Sequence, residues 1–364
     1  MVVDNTFDKE KSLIVKGFAI LCMITYHVWG VNKYEPMLGE NLNIERYIGQ
    51  FGHICVPIYL FLSGYAIYLI SCINNFKYKD LVKRVFNLLF KFWFIFILFI
   101  PAGFLIFNVY KFDIKELIMN FTTLKITYNG DWWFIRLYIQ LLILFPIFKF
   151  VISKYSFMKT LMISFGVYVI GFFMFLVLKL NLSNIVNFQI YQDIQVMFVD
   201  QLIFTIGCLF AKYNAFKLIK DKLKEIKLDK LYIYVILLLL IFLLRSIIYV
   251  FFEDIIKFGS PDWFDFSIVP IIIVCVYNIF SKGIAKNLMI ILGNNSDNMW
   301  LTHTFFYKLY FQKEIYSLCS SILILFTVIV FSFISSNIIN LLYNFFRNII
   351  NENKKNRIIR YQRN

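Results

Sequence analysis

Charged side chains are scarce in this chain. Lys, Arg, Asp and Glu together make up 16% of the 364 residues, whereas hydrophobic residues make up 60% and the mean hydropathy is +0.71. A soluble domain of this length carries more charge, because its Lys, Arg, Asp and Glu side chains cover the surface that faces water. The composition therefore excludes a soluble globular protein and predicts a chain embedded in a lipid bilayer.

Cysteine and histidine are also few. The six cysteines stand singly along the chain, and no pair has the spacing of a metal site or a redox motif. We therefore expect them to act as small apolar packing residues, and we expect no bound metal. Only three histidines are present, and each is a candidate for proton transfer near neutral pH.

Linkers and long repeats are missing from the sequence. No stretch rich in Pro, Gly or Ser divides the chain, and no soluble extension follows the apolar part. We therefore expect one integral membrane domain over residues 1–347, followed by a basic cytoplasmic tail over residues 348–364.

Long apolar runs fill most of the chain instead. A helix needs about 20 mostly apolar residues to cross a hydrocarbon core of about 30 Å, and about ten segments satisfy this condition. The sequence therefore predicts an all-α fold, a polytopic membrane helix bundle. The ninth segment is the least regular, because a polar run from Gly293 to Asn298 interrupts it. The predicted spans are residues 13–31, 51–73, 85–108, 133–152, 159–180, 196–212, 231–252, 265–281, 287–309 and 317–346.

The net charge of +15 reflects topology and not a nucleic-acid partner. With the N-terminus inside, most of the 37 Lys and Arg residues fall in or beside inner segments, as the positive-inside rule requires. We therefore expect both termini in the cytoplasm, no binding of nucleic acid, and membrane lipids as partners of the basic surface.

Lys16 and His27 form the most informative pair in the first span. Eleven steps of about 100° return an α-helix to within roughly 20° of its starting direction, after a rise of about 16 Å. Both side chains therefore share one face, with Lys16 near the inner interface and His27 deep in the bilayer. A buried polar group in a membrane helix is by default a functional-site hypothesis. The pair suggests a cation that binds an anion and a base that acts some distance away.

Other polar residues lie at a similar, outer depth in further spans. Buried polar groups of this kind usually face the bundle interior or a water-filled cavity and pair there. His53 has the alternative of a solvated interfacial histidine. The two arginines named below have two alternatives, which are snorkelling to the interface and structural pairing with Asp200. The candidates are His53, Arg136, Asp200, Arg245 and His303.

Five short motifs follow one another over about residues 12–310. They are Lys16-Gly17 through Tyr26-His27, Phe61-Leu62-Ser63-Gly64-Tyr65, Lys83-Arg84 with Phe92-Trp93, Trp132-Trp133-Phe134 with Pro146, and Leu292-Gly293 through Thr302-His303. In this order they resemble the motifs of the membrane-bound acyltransferase family 3. The chain departs from the family's basic motif at Asn87, where a second Arg or Lys is usual.

The resemblance implies an O-acyltransferase that moves an acyl group, most simply acetyl, from cytoplasmic acyl-CoA to a hydroxyl of a capsular, exopolysaccharide or lipid-linked glycan. Lys16, Lys83 and Arg84 would bind the phosphates of acyl-CoA, which is the donor substrate, and no cofactor is expected. His27 would act as general base or carry the acyl group, with His303 as the second catalytic candidate. The implied oxyanion-stabilising or acceptor-binding residues are Arg136, Arg245, His53 and Asp200.

Two rival functions share some of these features. A transporter or flippase of lipid-linked glycans would also have many spans and an outer cationic chamber, although no inverted-repeat halves are visible. A glycan polymerase is a further alternative, but no large outer loop is available for its acceptor. The resemblance also implies a multi-pass location in a bacterial plasma membrane, and the oligomeric state stays open.

Overall fold

The computed structural model describes residues 6–30, 44–73, 77–179, 188–252 and 261–361, without the side chains of residues 73, 179, 188, 261 and 346–361. The ends of the first and fifth predicted spans, residues 31 and 180, lie outside the described residues, as do the last three residues of the predicted tail. The boundary between membrane domain and tail stays a prediction.

Helices make up the secondary structure of the described ranges, in which no strand occurs. The expected all-α fold is therefore confirmed. Short 3₁₀ turns cover Gly130–Trp132 and Pro261–Phe264, and π-helical turns cover Tyr26–Gly30 and Phe305–Tyr310. The α-helices are α1 (Lys9–Thr25), α2 (Ile44–Gly52), α3 (Cys55–Ile73), α4 (Tyr78–Leu105), α5 (Ile114–Phe121), α6 (Trp133–Lys154), α7 (Phe157–Lys179), α8 (Phe188–Lys212), α9 (Ala215–Glu225), α10 (Leu231–Tyr249), α11 (Asp265–Ile279), α12 (Gly283–Thr304), α13 (Gln312–Tyr316) and α14 (Ser321–Tyr361).

Nine helical segments in the described part of the chain are long and apolar enough to cross a membrane. The polytopic bundle is therefore confirmed. The ninth predicted span corresponds to α12, whose 22 residues give a helix of about 33 Å. Its polar run keeps it out of that group of nine, so the tenth crossing and the cytoplasmic placement of both termini stay predictions.

The second span begins earlier than the sequence predicts. Helix α2 precedes α3, and a turn at His53 and Ile54 separates the two helices. The two helices together form one candidate span, Ile44–Cys72. The apolar side chains of α2 lie on one helical face and Glu45, Arg46 and Gln50 interrupt its sequence, which is why hydropathy alone does not reveal it.

The chain divides into two compact units. The first comprises Met1–Val85 and Trp132–Asn294, and the second comprises Phe86–Asp131 and Asn295–Asn364. Each unit therefore contains segments from distant parts of the sequence.

Reciprocal glycine contacts hold α3 against α8 in the first unit. A Cβ added at Gly64 would meet the carbonyl of Phe204, and one added at Gly207 would meet the carbonyl of Phe61. Small residues let membrane helices approach closely, and the close contact stabilises the helix pair by van der Waals packing. Larger side chains at these positions would keep the helices apart. The Ser63 hydroxyl donates to the Tyr59 carbonyl of its own helix at 2.7 Å. Ser63-Gly64 is therefore a packing notch.

A second reciprocal contact joins α1 to the first part of α12. A Cβ at Gly17 would meet the Met289 carbonyl, and one at Gly293 would meet the Leu13 carbonyl. Lys286 Nζ also lies 2.7 Å from Glu10 Oε1. The start of α12 is thus fixed closely against the helix that carries Lys16 and His27.

Aromatic stacking organises the second unit. The Phe99 ring of α4 stacks on Phe305 with centroids 4.5 Å apart, and Trp93 stacks on Phe121 of α5 at 5.3 Å. Trp93 Nε1 also donates to the Phe121 carbonyl at 2.8 Å. Helix α14, with 41 residues, is about 60 Å long and exceeds the thickness of a hydrocarbon core.

Candidate active site

Helix α1 carries the first two predicted site residues. Lys16 is half-buried, and its backbone carbonyl lies 3.4 Å from the Tyr59 hydroxyl, which donates to it. The Lys16 ammonium group makes no hydrogen bond or ion pair with the residues that the structure describes. Nine of the eleven steps from Lys16 to His27 are α-helical, so the axial separation between them remains about 16 Å.

His27 lies where α1 widens into the π-helical turn Tyr26–Gly30. Turns of this kind are rare and are frequent at functional sites. The Tyr26 ring lies next to two histidines, with its centroid 5.2 Å from that of His27 and 4.6 Å from that of His53. The structure therefore places His27 and His53 next to the same tyrosine ring within the first unit.

A charged cluster, formed by His53, Arg245, Asp262 and Asp265, lies in the same unit. Arg245 is only 3% exposed. Its Nε and Nη2 donate to the two oxygens of Asp265 at 3.0 Å each, and Nη2 also donates to Asp262 Oδ1 at 2.6 Å. His53 Nδ1 lies 2.8 Å from that same Asp262 oxygen. The guanidinium therefore balances two carboxylates, neither of which is Asp200.

The backbone of α2 completes this cluster. Arg245 Nη1 donates to the carbonyl of Gln50, and Gln50 Nε2 donates to the Gly30 carbonyl at 2.7 Å. Each nitrogen of the Arg245 guanidinium thus has a protein acceptor. The cluster ties α10 and α11 to the turn that precedes α3.

A cavity of about 210 Å³ borders the charged cluster. His53 and Asp200 both line it, together with residues of α6, α7, α8 and α11. These contributions come from the beginnings of α3, α6 and α11 and the turns before α3 and α11, from the middle of α8 and from the second half of α7. By the predicted topology, all of these positions lie in the outer half of the bilayer.

Arg136 has a different surrounding. Its Nη2 lies 3.0 Å from Asp193 Oδ1, and its side chain is 12% exposed. It is not among the residues that line the cavity. The structure therefore pairs Arg136 on α6 with an acid of α8 that the sequence analysis did not single out.

The other two predicted donor-site residues lie near the start of α4. Lys83 is exposed and Arg84 is half-buried. Neither side chain makes a hydrogen bond or ion pair with a residue of the described ranges. They share this property with Lys16.

His303 belongs to the second unit, whereas His27 belongs to the first. His303 is fully buried in α12, and its Nδ1 lies 2.7 Å from the Trp300 carbonyl. A carbonyl only accepts, so Nδ1 carries the proton and the neutral ring keeps its lone pair on Nε2. This tautomer is the one that a proton-accepting role for Nε2 requires.

Asp131 lies next to this histidine in the second unit. Its Oδ2 accepts from the Thr304 hydroxyl at 2.8 Å and from the Tyr307 hydroxyl at 3.4 Å. The Tyr307 ring lies nearly parallel to that of His303, with centroids 5.9 Å apart. The carboxylate thus fixes the end of α12 immediately after His303.

Sequence reasoning missed the acids of both regions. Asp131 directly precedes the Trp132-Trp133-Phe134 motif, and Asp262 and Asp265 flank Trp263 and Phe264 at the start of a span. Acids at the outer ends of spans, on the same side as unexplained arginines, are the signal that could have found them.

His53, Asp262 and Asp265 also have the spacing of a metal-ligand group, since one ligand atom from each lies within 4.8 Å of the others. Arg245 already supplies a positive charge to both carboxylates. The expectation that the protein binds no metal stays a prediction.

The apolar helices and the buried polar groups between them define a multi-pass membrane protein with polar side chains in its interior. A family model described as an acyltransferase domain, that of acyltransferase family 3, matches residues 13–341. No curated protein and no solved structure matches the chain significantly. Because the family model covers most of the sequence, the chain belongs to acyltransferase family 3 and is a multi-pass membrane acyltransferase.

Proposed function

We propose that the protein is an O-acetyltransferase of a bacterial plasma membrane. It moves the acetyl group of cytoplasmic acetyl-CoA to a hydroxyl of a capsular, exopolysaccharide or lipid-linked glycan. The observation that carries this proposal is the arrangement on α1, where an ammonium group without a described partner precedes a histidine in a π-helical turn by about 16 Å.

The donor site uses cations that the fold leaves available. Lys212 Nζ donates to the Ile152 carbonyl, and Lys149 Nζ donates to the Ser71 carbonyl at 3.0 Å. Lys16, Lys83 and Arg84 make no such bonds to the described residues. Basic groups form strong charge-assisted hydrogen bonds with phosphates. These three side chains therefore suit the phosphates of coenzyme A, and the pantetheine arm extends from them towards His27.

His27 acts as the general base in this proposal. It accepts the proton of the glycan hydroxyl as the oxygen forms its bond to the thioester carbonyl carbon. The tetrahedral intermediate then collapses, the carbon–sulfur bond breaks, and the coenzyme A thiolate takes the proton from the imidazolium. The products are the O-acetyl ester and free coenzyme A.

His303 is the second catalytic candidate. Its buried ring, with Nδ1 protonated, fits a proton-accepting Nε2. Arg136 stays a candidate to stabilise the oxyanion, where one donor contributes about 3 kcal/mol, although it also pairs with Asp193 at 3.0 Å. Each nitrogen of the Arg245 guanidinium is already engaged. Arg245 serves instead to position the charged cluster.

The test is acetyl transfer by the purified full chain in lipid vesicles. We expect labelled acetyl-CoA to be consumed only when glycan is present, and the label to appear as an ester on the glycan. His27→Ala should lower the transfer rate by about 10² to 10⁴, since the proton acceptor is lost. His27→Gln should be nearly as inactive, because the amide has no comparable basicity.

The matched control is Thr25→Ala on the same helix. The Thr25 hydroxyl only donates to the Leu21 carbonyl of α1, so this variant should keep the wild-type rate. Substantial transfer by His27→Ala, at matched expression and with retained acetyl-CoA binding, contradicts the general-base role. Glycan translocation without ester formation contradicts the whole proposal and favours the flippase alternative.

A further inference from the structure

The cavity beside the charged cluster contains polar groups that the fold does not use. It lies within the first unit, and its volume of about 210 Å³ corresponds to about seven water molecules at about 30 Å³ each. That is room for one sugar ring. Ligand sites are typically concave and apolar, with a few convergent polar groups that set specificity.

Gln195 is the first of these unused groups. It lines the cavity from α8 and is 9% exposed. Its side-chain amide makes no hydrogen bond with any residue in the described ranges. This amide is both a donor and an acceptor, which is the pair of functions that a sugar hydroxyl matches.

Asp200 is the second unused group. It lines the same cavity, about 1.4 turns further along α8. Its carboxyl group makes no hydrogen bond or ion pair with the described residues, whereas Asp262 and Asp265 are both bonded to Arg245. A carboxylate in this position accepts hydrogen bonds from hydroxyl groups.

Aromatic rings form much of the remaining wall. Trp263 contacts the ring of Phe172 at a centroid distance of 4.3 Å, and the Tyr168 hydroxyl donates to the Trp263 carbonyl at 2.7 Å. Trp133 and Phe266 also line the cavity. Aromatic side chains offer a large apolar face at low entropic cost. Such walls suit the carbon–hydrogen face of a sugar ring.

The charges of the cavity decide which sugar fits. Asp200, Asp262 and Asp265 all line it, and Arg245 is the arginine bonded to two of them. An acidic sugar would bring a further negative charge to a site that already has one carboxylate without a described ionic partner. A neutral sugar brings only hydroxyl groups.

We propose that this cavity is the acceptor subsite, which binds a single neutral sugar ring through Gln195, Asp200 and the aromatic wall and discriminates against uronic acids. This inference rests on the proposed glycan O-acetyltransferase function. His53, which also lines the cavity and whose Nδ1 lies 2.8 Å from Asp262 Oδ1, completes the polar lining.

The experiment uses two probes that share the p-nitrophenyl aglycone, namely p-nitrophenyl β-D-glucopyranoside and p-nitrophenyl β-D-glucuronide. Binding to the full chain in lipid nanodiscs is measured without acetyl-CoA, by quenching of tryptophan fluorescence. The KM of each probe is then measured in the transfer assay. The variants are Gln195→Leu and Asp200→Asn, and the matched control is Gln192→Leu, a glutamine of the same helix that does not line the cavity.

We expect the wild-type protein to bind the glucoside about tenfold more tightly than the glucuronide. Gln195→Leu and Asp200→Asn should each weaken glucoside binding and raise its KM about tenfold, with the KM of acetyl-CoA unchanged. Asp200→Asn should also reduce the ratio of the affinities for the two probes, an effect that general misfolding would not produce. Gln192→Leu should resemble the wild type.

If the wild-type protein binds neither probe, the proposed subsite is overturned. It is also overturned if both cavity variants bind the glucoside as tightly as the wild type. An equal loss in Gln192→Leu also overturns it, because the effect would then be structural. The failure of the proposed function looks different. In that case acetyl transfer is absent for every acceptor, whatever the two probes do in the binding measurement.

Discussion

The two units of the molecule bury polar side chains in different ways. In the first unit, the charged cluster joins α10, α11 and the turn before α3 beside a cavity. In the second unit, an amide cluster formed by Asn295, Asn298, Ser336 and Asn340 joins α12 to α14. Asn298 Nδ2 donates to Asn340 Oδ1 at 2.8 Å, and Asn295 Oδ1 accepts from Ser336 at 2.8 Å and from Asn340 at 3.1 Å.

The difference concerns charge and its cost. Neutral hydrogen bonds between membrane helices contribute on average about 0.6 kcal/mol, and at most about 1.7 kcal/mol. Removing one partner of a buried ion pair costs about 3–5 kcal/mol, since it leaves an uncompensated charge. The amide cluster is therefore the less costly of the two to disrupt, whereas the charged cluster, three of whose residues line the cavity, is costly to disrupt.

Arg245→Met is the strongest way to break the charged cluster. It should lower the free energy of unfolding by about 3–5 kcal/mol, because Asp265, which is 2% exposed, loses its counter-charge. The measurement is unfolding of the purified protein in mixed micelles. Adding Asp265→Asn to Arg245→Met should recover part of the loss. Strictly additive losses in the double variant would show that the pair is not coupled.

Lys16→Ala should have the opposite pattern to Arg245→Met, with an effect on substrate binding and not on stability. The Lys16 ammonium group has no described protein partner that the substitution would remove. Stability should stay near the wild-type value, while the KM for acetyl-CoA should rise about tenfold, or about 1.4 kcal/mol, with a smaller effect on kcat. Lys16→Arg should be milder, since charge and donors persist. An unchanged KM in the alanine variant would remove Lys16 from the donor site, and a large loss of stability would make it structural.

Hydropathy and the scarcity of charge were enough to predict the helical membrane bundle, because burial of apolar surface in lipid depends mainly on local composition. They could not predict α2 or the π-helical turn at His27, which depend on contacts with other helices. Gly30 and Gly49, for example, approach so closely that a Cβ on Gly49 would meet the Gly30 backbone. Such contacts bring together residues far apart in sequence.

The candidate site was predictable in its residue types and not in its pairing. Buried arginines require acids nearby, so Arg245 and Asp200 were natural partners from depth alone. The guanidinium binds Asp262 and Asp265 instead, because rotation about each helix axis decides which side chains meet. Depth follows from the sequence, whereas this rotation follows from the packing of the whole bundle.

Asn298→Ala tests the expectation that the amide cluster contributes less to stability than the charged cluster. Loss of its bonds to Asn340 and to the Ser336 carbonyl should lower the free energy of unfolding by about 1 kcal/mol, measured as for Arg245→Met. The matched control is Asn337→Ala, whose side chain bonds only to Phe333 within α14 and which should change stability less. A loss as large as that of Arg245→Met would contradict the distinction between the two clusters.

The smallest expected effect concerns a charge outside the membrane-spanning helices. Glu116 of α5 accepts from the Thr127 hydroxyl and from Lys125 Nζ, the latter at 2.9 Å. These hydrogen bonds, that of Thr127 first, hold the pKa of Glu116 below its usual value of 4.5. A depressed pKa in the folded state stabilises the fold above pH 4.5, and this contribution is lost as the pH falls through the folded pKa.

Hydrogen exchange of residues 113–128 should therefore accelerate selectively below about pH 4.5, whereas Glu116→Gln should exchange faster at neutral pH and show less acid dependence. Because the carboxylate is solvated, the faster hydrogen exchange should be confined to this segment. If hydrogen exchange around the charged cluster also accelerated at the same pH, exposed and buried ion pairs would respond alike in this protein.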